Sequence, residues 1–226
     1  MMLVYGKNTL KELEIKKIRR VFVNKNLKDK ELFEYLKNNK IKYELVDNFI
    51  LDKKANGNHQ GIVIEIDDYD YCSLNEVYNE EFVVVLDHLE DPHNFGAIIR
   101  TCEAAGVNYI IIPKDRSVRV NDTVMKTSSG ALSRVKIVLV SNINDAINKL
   151  KKETFFTYAA DMDGSDYRKV DFSGKKCLII GNEGNGISDI VLKNCDEVVS
   201  IPMKGKINSL NASVAAAVLI FNMNGE

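Results

Sequence analysis

Three stretches of this 226-residue chain combine residue types that bind small molecules and move protons. The first, Leu86 to Gly106, reads LDHLEDPHNFGAIIRTCEAAG and carries an amide, Asn94, and a guanidinium, Arg100. On an ideal helix these two differ by ~120° around the axis, so they cannot simply share one face. Arg100 is the one cation of that helix. It is free either to clamp an anion bidentately or to pair at i, i+3 with Glu103. The second stretch, Leu178 to Ser188, reads LIIGNEGNGIS. Gly181, Gly184 and Gly186 precede a helix and leave backbone N–H groups available to a ligand. Their GxxGxG spacing is not the GxGxxG of dinucleotide folds, and no GK[ST] closes a phosphate loop. A tight turn accounts for these glycines but not for Asn182 and Glu183 between them. The third stretch, Ser200 to Val218, reads SIPMKGKINSLNASVAAAV. Ser209 is a candidate helix cap there, yet Asn208, Ser209 and Asn211 together exceed what capping needs.

All three follow apolar runs of strand length. FVVVLD (82–87) has the pattern of a strand buried on both faces, and similar runs recur at 109–112, 134–140, 155–160, 177–181 and 197–201. Helical patterns lie between several of them, at 95–105, 143–151 and 187–194, and a last helix spans 209–222. Such alternation predicts an α/β domain with a mostly parallel sheet, whose ligands bind outside the carboxyl ends of the strands. Pro92 lies in the turn before the first of these helices, Asn94 or a neighbour opens it, and Gly106 suits its C′ position. In the last helix Leu210, Val214, Val218 and Phe221 flank small Ala215, Ala216 and Ala217. Small residues allow close approach of another helix, from a second subunit or, as the pattern on its own favours, from within the chain.

The first sixty-six residues form a separate small α/β pattern. A helix is expected from Asn8 to Ile18, capped by Asn8 or Thr9, then a strand at 21–24, a helix at 30–39 and strands at 43–46 and 62–66. The expected domains are 1–66 and 81–226, joined by an acidic linker at 67–80.

Composition sets the outer limits. With 45% hydrophobic and 28% charged residues, 13 Gly and 3 Pro, the chain is ordinary globular material. The longest apolar stretch, Ala212 to Phe221, is too short to span a bilayer, and the N-terminus has no signal-peptide core. Cys72, Cys102, Cys177 and Cys195 lie far apart, and His59, His88 and His93 form no HExxH. Reduced thiols, no metal and a cytoplasmic setting are therefore expected. The formal net charge is −1, but residues 1–66 hold 14 basic and 9 acidic residues, leaving a net −6 on the rest. A basic segment on an acidic remainder suggests that one part meets a polyanion.

In this order the three stretches resemble the motifs of the SpoU branch of the SPOUT RNA methyltransferases. Asn94 to Arg100 resembles the first motif, GNEGNGIS the second and IPMKGKINSLNASVAAAV the third. KTSSGAL (126–132) resembles a recurrent segment between the first two. Residues 1–66, with YGKNTL and NHQGIV, are similar to the ribosomal-protein-L30e-like substrate-binding domain of ribose methyltransferases in this branch. The resemblance covers nearly the whole chain and implies a C-terminal domain with a deep trefoil knot, a homodimer, and S-adenosylmethionine as cofactor. By motif position it implies cofactor binding by Gly181, Asn182, Gly184, Ile201, Met203, Ser209, Leu210 and Asn211. Asn94, Arg100, Glu183, Ser209 and Asn211 are then the catalytic set.

The implied reaction is methyl transfer to a ribose 2′-hydroxyl of RNA, with a guanosine of large-subunit ribosomal RNA as the expected target and transfer RNA as the alternative. DNA and membrane partners are not implied. The family's arginine is proposed as the base. A guanidinium is effectively always protonated, so Arg100 reads better as a clamp on the target phosphate. A nicotinamide-dependent dehydrogenase or conventional methyltransferase is the rival enzyme class, disfavoured by the missing GxGxxG. A non-catalytic RNA-binding module is the rival outside enzymes.

Overall fold

The computed structural model describes every residue except Asn56, Gly57, Asn208 and Glu226, and leaves out the side chain of Glu12. Asn208, one of the residues singled out above, therefore lies outside the described residues. The chain divides into two compact units: Met1–Asp70 with Val120–Lys126, and Tyr71–Arg119 with Thr127–Glu226.

The first unit is built on a four-stranded sheet. Its strands are β1 (Met2–Tyr5), β2 (Ile18–Asn24), β3 (Glu44–Val46) and β4 (Ile62–Ile66), in the order β1-β4-β2-β3. β4 runs antiparallel to β1 and β2, and β3 runs parallel to β2. Alternation puts Val21, Val23, Ile62 and Ile64 in one core cluster with Leu32 and Leu36 of helix α2 (Lys30–Asn38). Phe22 and Val63 lie in a second cluster with Leu51 of α3 (Asn48–Lys54). Asp29 caps α2 by accepting the Leu32 N–H at 3.0 Å.

The first expected helix is shorter than its pattern. α1 spans Lys7–Glu12, begins after Gly6 at φ 101°, and has no side-chain cap. Thr9 instead donates its hydroxyl to the Tyr5 carbonyl. Leu13 is already extended, a 3-10 turn follows at Ile15–Lys17, and Ile18 opens β2 paired with Ile66.

The second unit holds six strands: β5 (Phe82–Leu86), β6 (Tyr109–Pro113), β7 (Lys136–Val140), β8 (Phe156–Asp166), β9 (Lys176–Ile180) and β10 (Glu197–Ser200). Their order is β10-β8-β9-β5-β6-β7, and every neighbouring pair is parallel. The continuous apolar runs follow from this arrangement. All five residues of β5 are buried, and Val83 and Val85 join Ile143, Ile147 and Leu150 of helix α6 (Ile143–Lys152). Two further helices, α4 (Pro92–Ala104) and α8 (Ala212–Met223), pack on each other. Between them in sequence lie α5 (Asp122–Thr127) and α7 (Asp189–Asn194). Gly106 follows α4 at φ 74°, the left-handed position expected of it.

The chain proceeds from β5 outward to β7, then returns to the other side of β5 with β9. The β5/β9 pair is therefore the switch point of the sheet, where a crevice opens beyond the strand ends. No described helix is long and apolar enough to cross a membrane.

Candidate functional site

At the switch point β9 runs straight into the glycine turn. The Asn182 and Gly186 backbones pair in both directions, at 2.9 and 3.0 Å. A Cβ on Gly181 would stand 2.2 Å from the Gly186 carbonyl carbon, so only glycine fits. Gly186 sits at φ 66°. Gly184 meets nothing closer than 3.5 Å. The Asn182 side chain is the latch. Its Oδ1 accepts the Gly184 N–H at 2.8 Å, and its Nδ2 donates to the His88 carbonyl at 2.8 Å. The amide between the glycines thus ties the second stretch to the first.

A second tie was not expected from sequence. Asp87, 1% exposed at the end of β5, accepts both the backbone N–H and the hydroxyl of Ser188 at 2.8 Å, and its Oδ1 lies 2.6 Å from His88 Nδ1. Its signal was an acidic residue directly after an apolar strand.

Asp91, not Asn94, opens α4: its carboxylate accepts the His93 N–H, with Pro92 in the first turn. Asn94 is thereby one turn inside the helix and buried. Its Nδ2 donates to Glu183 Oε1 at 2.8 Å, and its Oδ1 lies 3.1 Å from Ser213 Oγ. Ser213 Oγ also lies 2.6 Å from Asn211 Oδ1, which accepts the Ser213 N–H. A hydroxyl carries one proton, so Ser213 serves one of its two acceptors at a time. The chain Glu183–Asn94–Ser213–Asn211 joins all three stretches. Ser213 was not among the residues singled out from the sequence; the spacing Asn-x-Ser at a helix start was its signal.

Asn211 is the cap of α8, and the helix begins at Ala212 rather than at Ser209. Ser209 is left free of that duty and lines a cavity of about 360 Å³. Gly181, Asn182, Glu183 and Gly184 form its glycine-turn wall, and Ile201, Met203 and Leu210 contribute from the third stretch. Seven of the eight expected cofactor residues thus share one cavity with Glu183. Asn211, Asn94 and Arg100 are not among its lining residues.

Arg100 lies about 120° around α4 from the buried Asn94 and is exposed, with no hydrogen bond or ion pair to any described residue. The i, i+3 pair with Glu103 does not form; Glu103 binds Arg134 Nε at 2.7 Å. The two buried thiols offer no rival nucleophile. Cys177 on β9 and Cys102 on α4 are fully buried, and burial holds both protonated.

Residues 81–221 match the model of the SpoU rRNA methylase family, and residues 3–72 match that of the substrate-binding domain of RNA 2′-O ribose methyltransferases. A Staphylococcus aureus (strain COL) protein assigned by name to the TrmH family of tRNA/rRNA methyltransferases is 36% identical over 97% of this chain and 94% of its own length. The SpoU methyltransferase AviRb from Streptomyces viridochromogenes, solved with AdoMet, shares 24% identity over 98% of this chain and 88% of its own, with a TM-score of 0.81. The TrmH/SpoU tRNA modifying enzyme of A. aeolicus shares 29% identity over 67% of this chain and 79% of its own, with a TM-score of 0.59.

Proposed function

This chain belongs to the SpoU rRNA methylase family of RNA methyltransferases, and from that premise we propose that it methylates a ribose 2′-hydroxyl with S-adenosylmethionine as donor. The target we propose is a guanosine of large-subunit ribosomal RNA. The observation that carries this reading is the cavity beyond the ends of β8, β9 and β10, into which the second and third stretches both deliver residues.

The cavity fits the donor in size and chemistry. Gly181 lets the turn close on the Gly186 backbone, and Gly184, with nothing nearer than 3.5 Å, leaves the backbone amides of the turn open to a ligand. Ile201 and Leu210 offer apolar surface to a flat purine. Gly181, Asn182, Gly184, Ile201, Met203, Ser209 and Leu210 would hold the donor, with Asn211 acting one step removed through the α8 cap. Bound there, S-adenosylmethionine supplies a methyl group already activated by a sulfonium leaving group.

The remaining work falls to alignment and proton removal. Arg100 presents a permanently charged fork with no intramolecular partner, and we assign it the target phosphate, which fixes the sugar hydroxyl in line. Asn94 and Glu183 position the two loops against each other, and Ser209 and Asn211 orient the third. Because Arg100 is outside the cavity of its own chain, the proposal includes a homodimer in which Arg100 meets the partner's cavity. It also includes a C-terminal trefoil knot, supported by the return of β9 between β5 and β8. The basic residues 1–66 would hold folded RNA through phosphates and shape. The setting proposed is the cytoplasm.

Transfer of labelled methyl from S-adenosylmethionine to ribosomal RNA transcripts, with the product mapped by resistance of one phosphodiester to alkali, tests the reading. The tRNA/rRNA naming of the S. aureus relative makes transfer RNA the second substrate to try. A label on a base, or on neither RNA, would overturn it.

A further inference from the structure

The cavity has a charge character that alignment of a hydroxyl does not explain. Its lining includes two carboxylates, Asp161 and Glu183, and no Lys, Arg or His among the described residues. Glu183 is engaged by Asn94. Asp161 is not: its Oδ1 accepts the Asp163 N–H at 3.1 Å, while Oδ2 has no partner among the described residues. Oδ2 lies 3.9 Å from where a Cβ on Gly186 would stand, directly beside the glycine turn.

The backbone delivers this carboxylate by an interruption of the sheet. β10 pairs with β8 at Val198↔Ala159, and the next pair is Val199↔Ser165. The intervening residues 160–164 leave the ladder, as a bulge does when it re-aims a side chain. Gly164 fixes the return, since a Cβ there would stand 2.5 Å from the Val198 carbonyl. Ala160, Asp161 and Met162 on this excursion all line the cavity.

We infer that Asp161 is the residue by which the cavity prefers the methyl donor to the spent product. The inference rests on the proposed methyl transfer. At neutral pH S-adenosylmethionine carries a sulfonium, an ammonium and a carboxylate, net +1. In transfer the S–CH3 bond breaks, the O–CH3 bond forms and the hydroxyl proton leaves; sulfur keeps the bonding pair as a neutral thioether. S-Adenosylhomocysteine is therefore net neutral. An unpaired carboxylate in a cavity to which its own chain supplies no cation favours the first over the second, since Arg100 is assigned to the target phosphate. Asp161 thereby aids product release as well as donor capture.

Calorimetry on the full chain tests this with S-adenosylmethionine, S-adenosylhomocysteine and sinefungin, which carries an ammonium in place of the sulfonium. Asp161→Asn should weaken the donor and sinefungin by about tenfold and S-adenosylhomocysteine by less than about twofold. The neighbouring Asp163→Asn should leave all three unchanged. Independently of any variant, raising salt should weaken the wild-type chain's donor binding more than its product binding. Equal losses for all three ligands would place the carboxylate on their shared ribose or amino-acid part and overturn the inference. So would no loss, or the same pattern in Asp163→Asn. A wild-type chain that binds none of the three would instead refute the methyl-donor reading itself.

Discussion

Asn94 on α4 and Glu183 in the glycine turn, 89 residues apart, share a 2.8 Å hydrogen bond, and Asn94 passes the connection on to Ser213. The bond couples the helix that carries Arg100 to the wall of the cavity. Asn94→Ala removes the bridge and leaves a carboxylate without its donor, which costs about 1–3 kcal/mol of stability. Glu183→Gln keeps a neutral acceptor and costs less. In a double-mutant cycle the two changes should fall short of additivity by at least about 0.5 kcal/mol, read by denaturant unfolding. Strict additivity would mean the bond contributes nothing in solution.

The glycine turn yields a sharper contrast. Gly181→Ala drives a methyl group into the Gly186 carbonyl carbon at 2.2 Å, whereas Gly184→Ala meets only Asn182 Oδ1 at 3.5 Å. Donor affinity should therefore fall by about tenfold or more for the first and little for the second, a difference above ~1.4 kcal/mol. Equilibrium dialysis with labelled S-adenosylmethionine measures both. Equal affinities would remove the turn from the cofactor site.

Much of the second unit was legible in the sequence because β5, β6 and β9 are buried on both faces and so read as unbroken apolar runs. The first unit was less so. β1 is four residues at the chain start, and α3 is a seven-residue helix that leaves Phe49 64% exposed and so shows no clean apolar stripe. α1 stops early because Ile18, which continued its helical pattern, is needed opposite Ile66 in the sheet. At the site, Asn94, Glu183 and Asn211 stood out by type and motif. Asp87 and Ser213 did not, since their meaning lies in partners 101 and 119 residues away. The cap moved from Ser209 to Asn211 for a related reason: Ser209 lines the cavity, and the helix starts after it.

Arg100 makes no intramolecular bond among the described residues, so Arg100→Lys should leave stability within about 0.5 kcal/mol of wild type. Donor affinity should also be unchanged, because Arg100 is assigned to the target phosphate rather than to the donor. Turnover should nevertheless fall by about a hundredfold, since an ammonium cannot reproduce the bidentate fork. Single-turnover methyl transfer separates these quantities. Near-normal transfer by the lysine variant would contradict any need for the guanidinium.

Alkaline pH should loosen the fold. Burial pushes the Cys195 thiol from its ordinary 9.0 up to about 11, raises Cys102 and Cys177 as well, and with Asp122 moves the Tyr5 hydroxyl up to about 12. Each group binds its proton more tightly folded than unfolded. The stability they contribute is therefore complete below pH ~9 and is lost as pH rises toward 11 and beyond. The melting temperature should be flat from pH 7 to 8.5 and fall between pH 9 and 11. In the same range, disulfide-exchange labelling of the native chain should be slow at pH 8 and accelerate without a plateau. Rapid labelling of all four thiols at pH 8 would show that the buried pair is accessible.

The last helix carries two faces. Ala212, Ala216, Leu219, Ile220 and Met223 are buried within the chain, as packing against α4 requires. Val214, Val218 and Phe221, at i, i+4 and i+7, form a second apolar stripe, and Val214 is 48% exposed. Leu210, just before the helix cap and 37% exposed, lines the cavity. An apolar row beside a cavity that lacks its arginine is what a two-fold interface would cover, with each subunit offering Arg100 to the other. Val214→Glu places a charge in that row without touching the buried face. The wild-type chain should sediment as a dimer and the variant as a monomer. The variant should also lose methyl transfer, and mixing it with Arg100→Ala chains should restore none. A wild-type monomer with full activity would refute the shared site, since Arg100 would then have to act on its own chain's cavity, which it does not line.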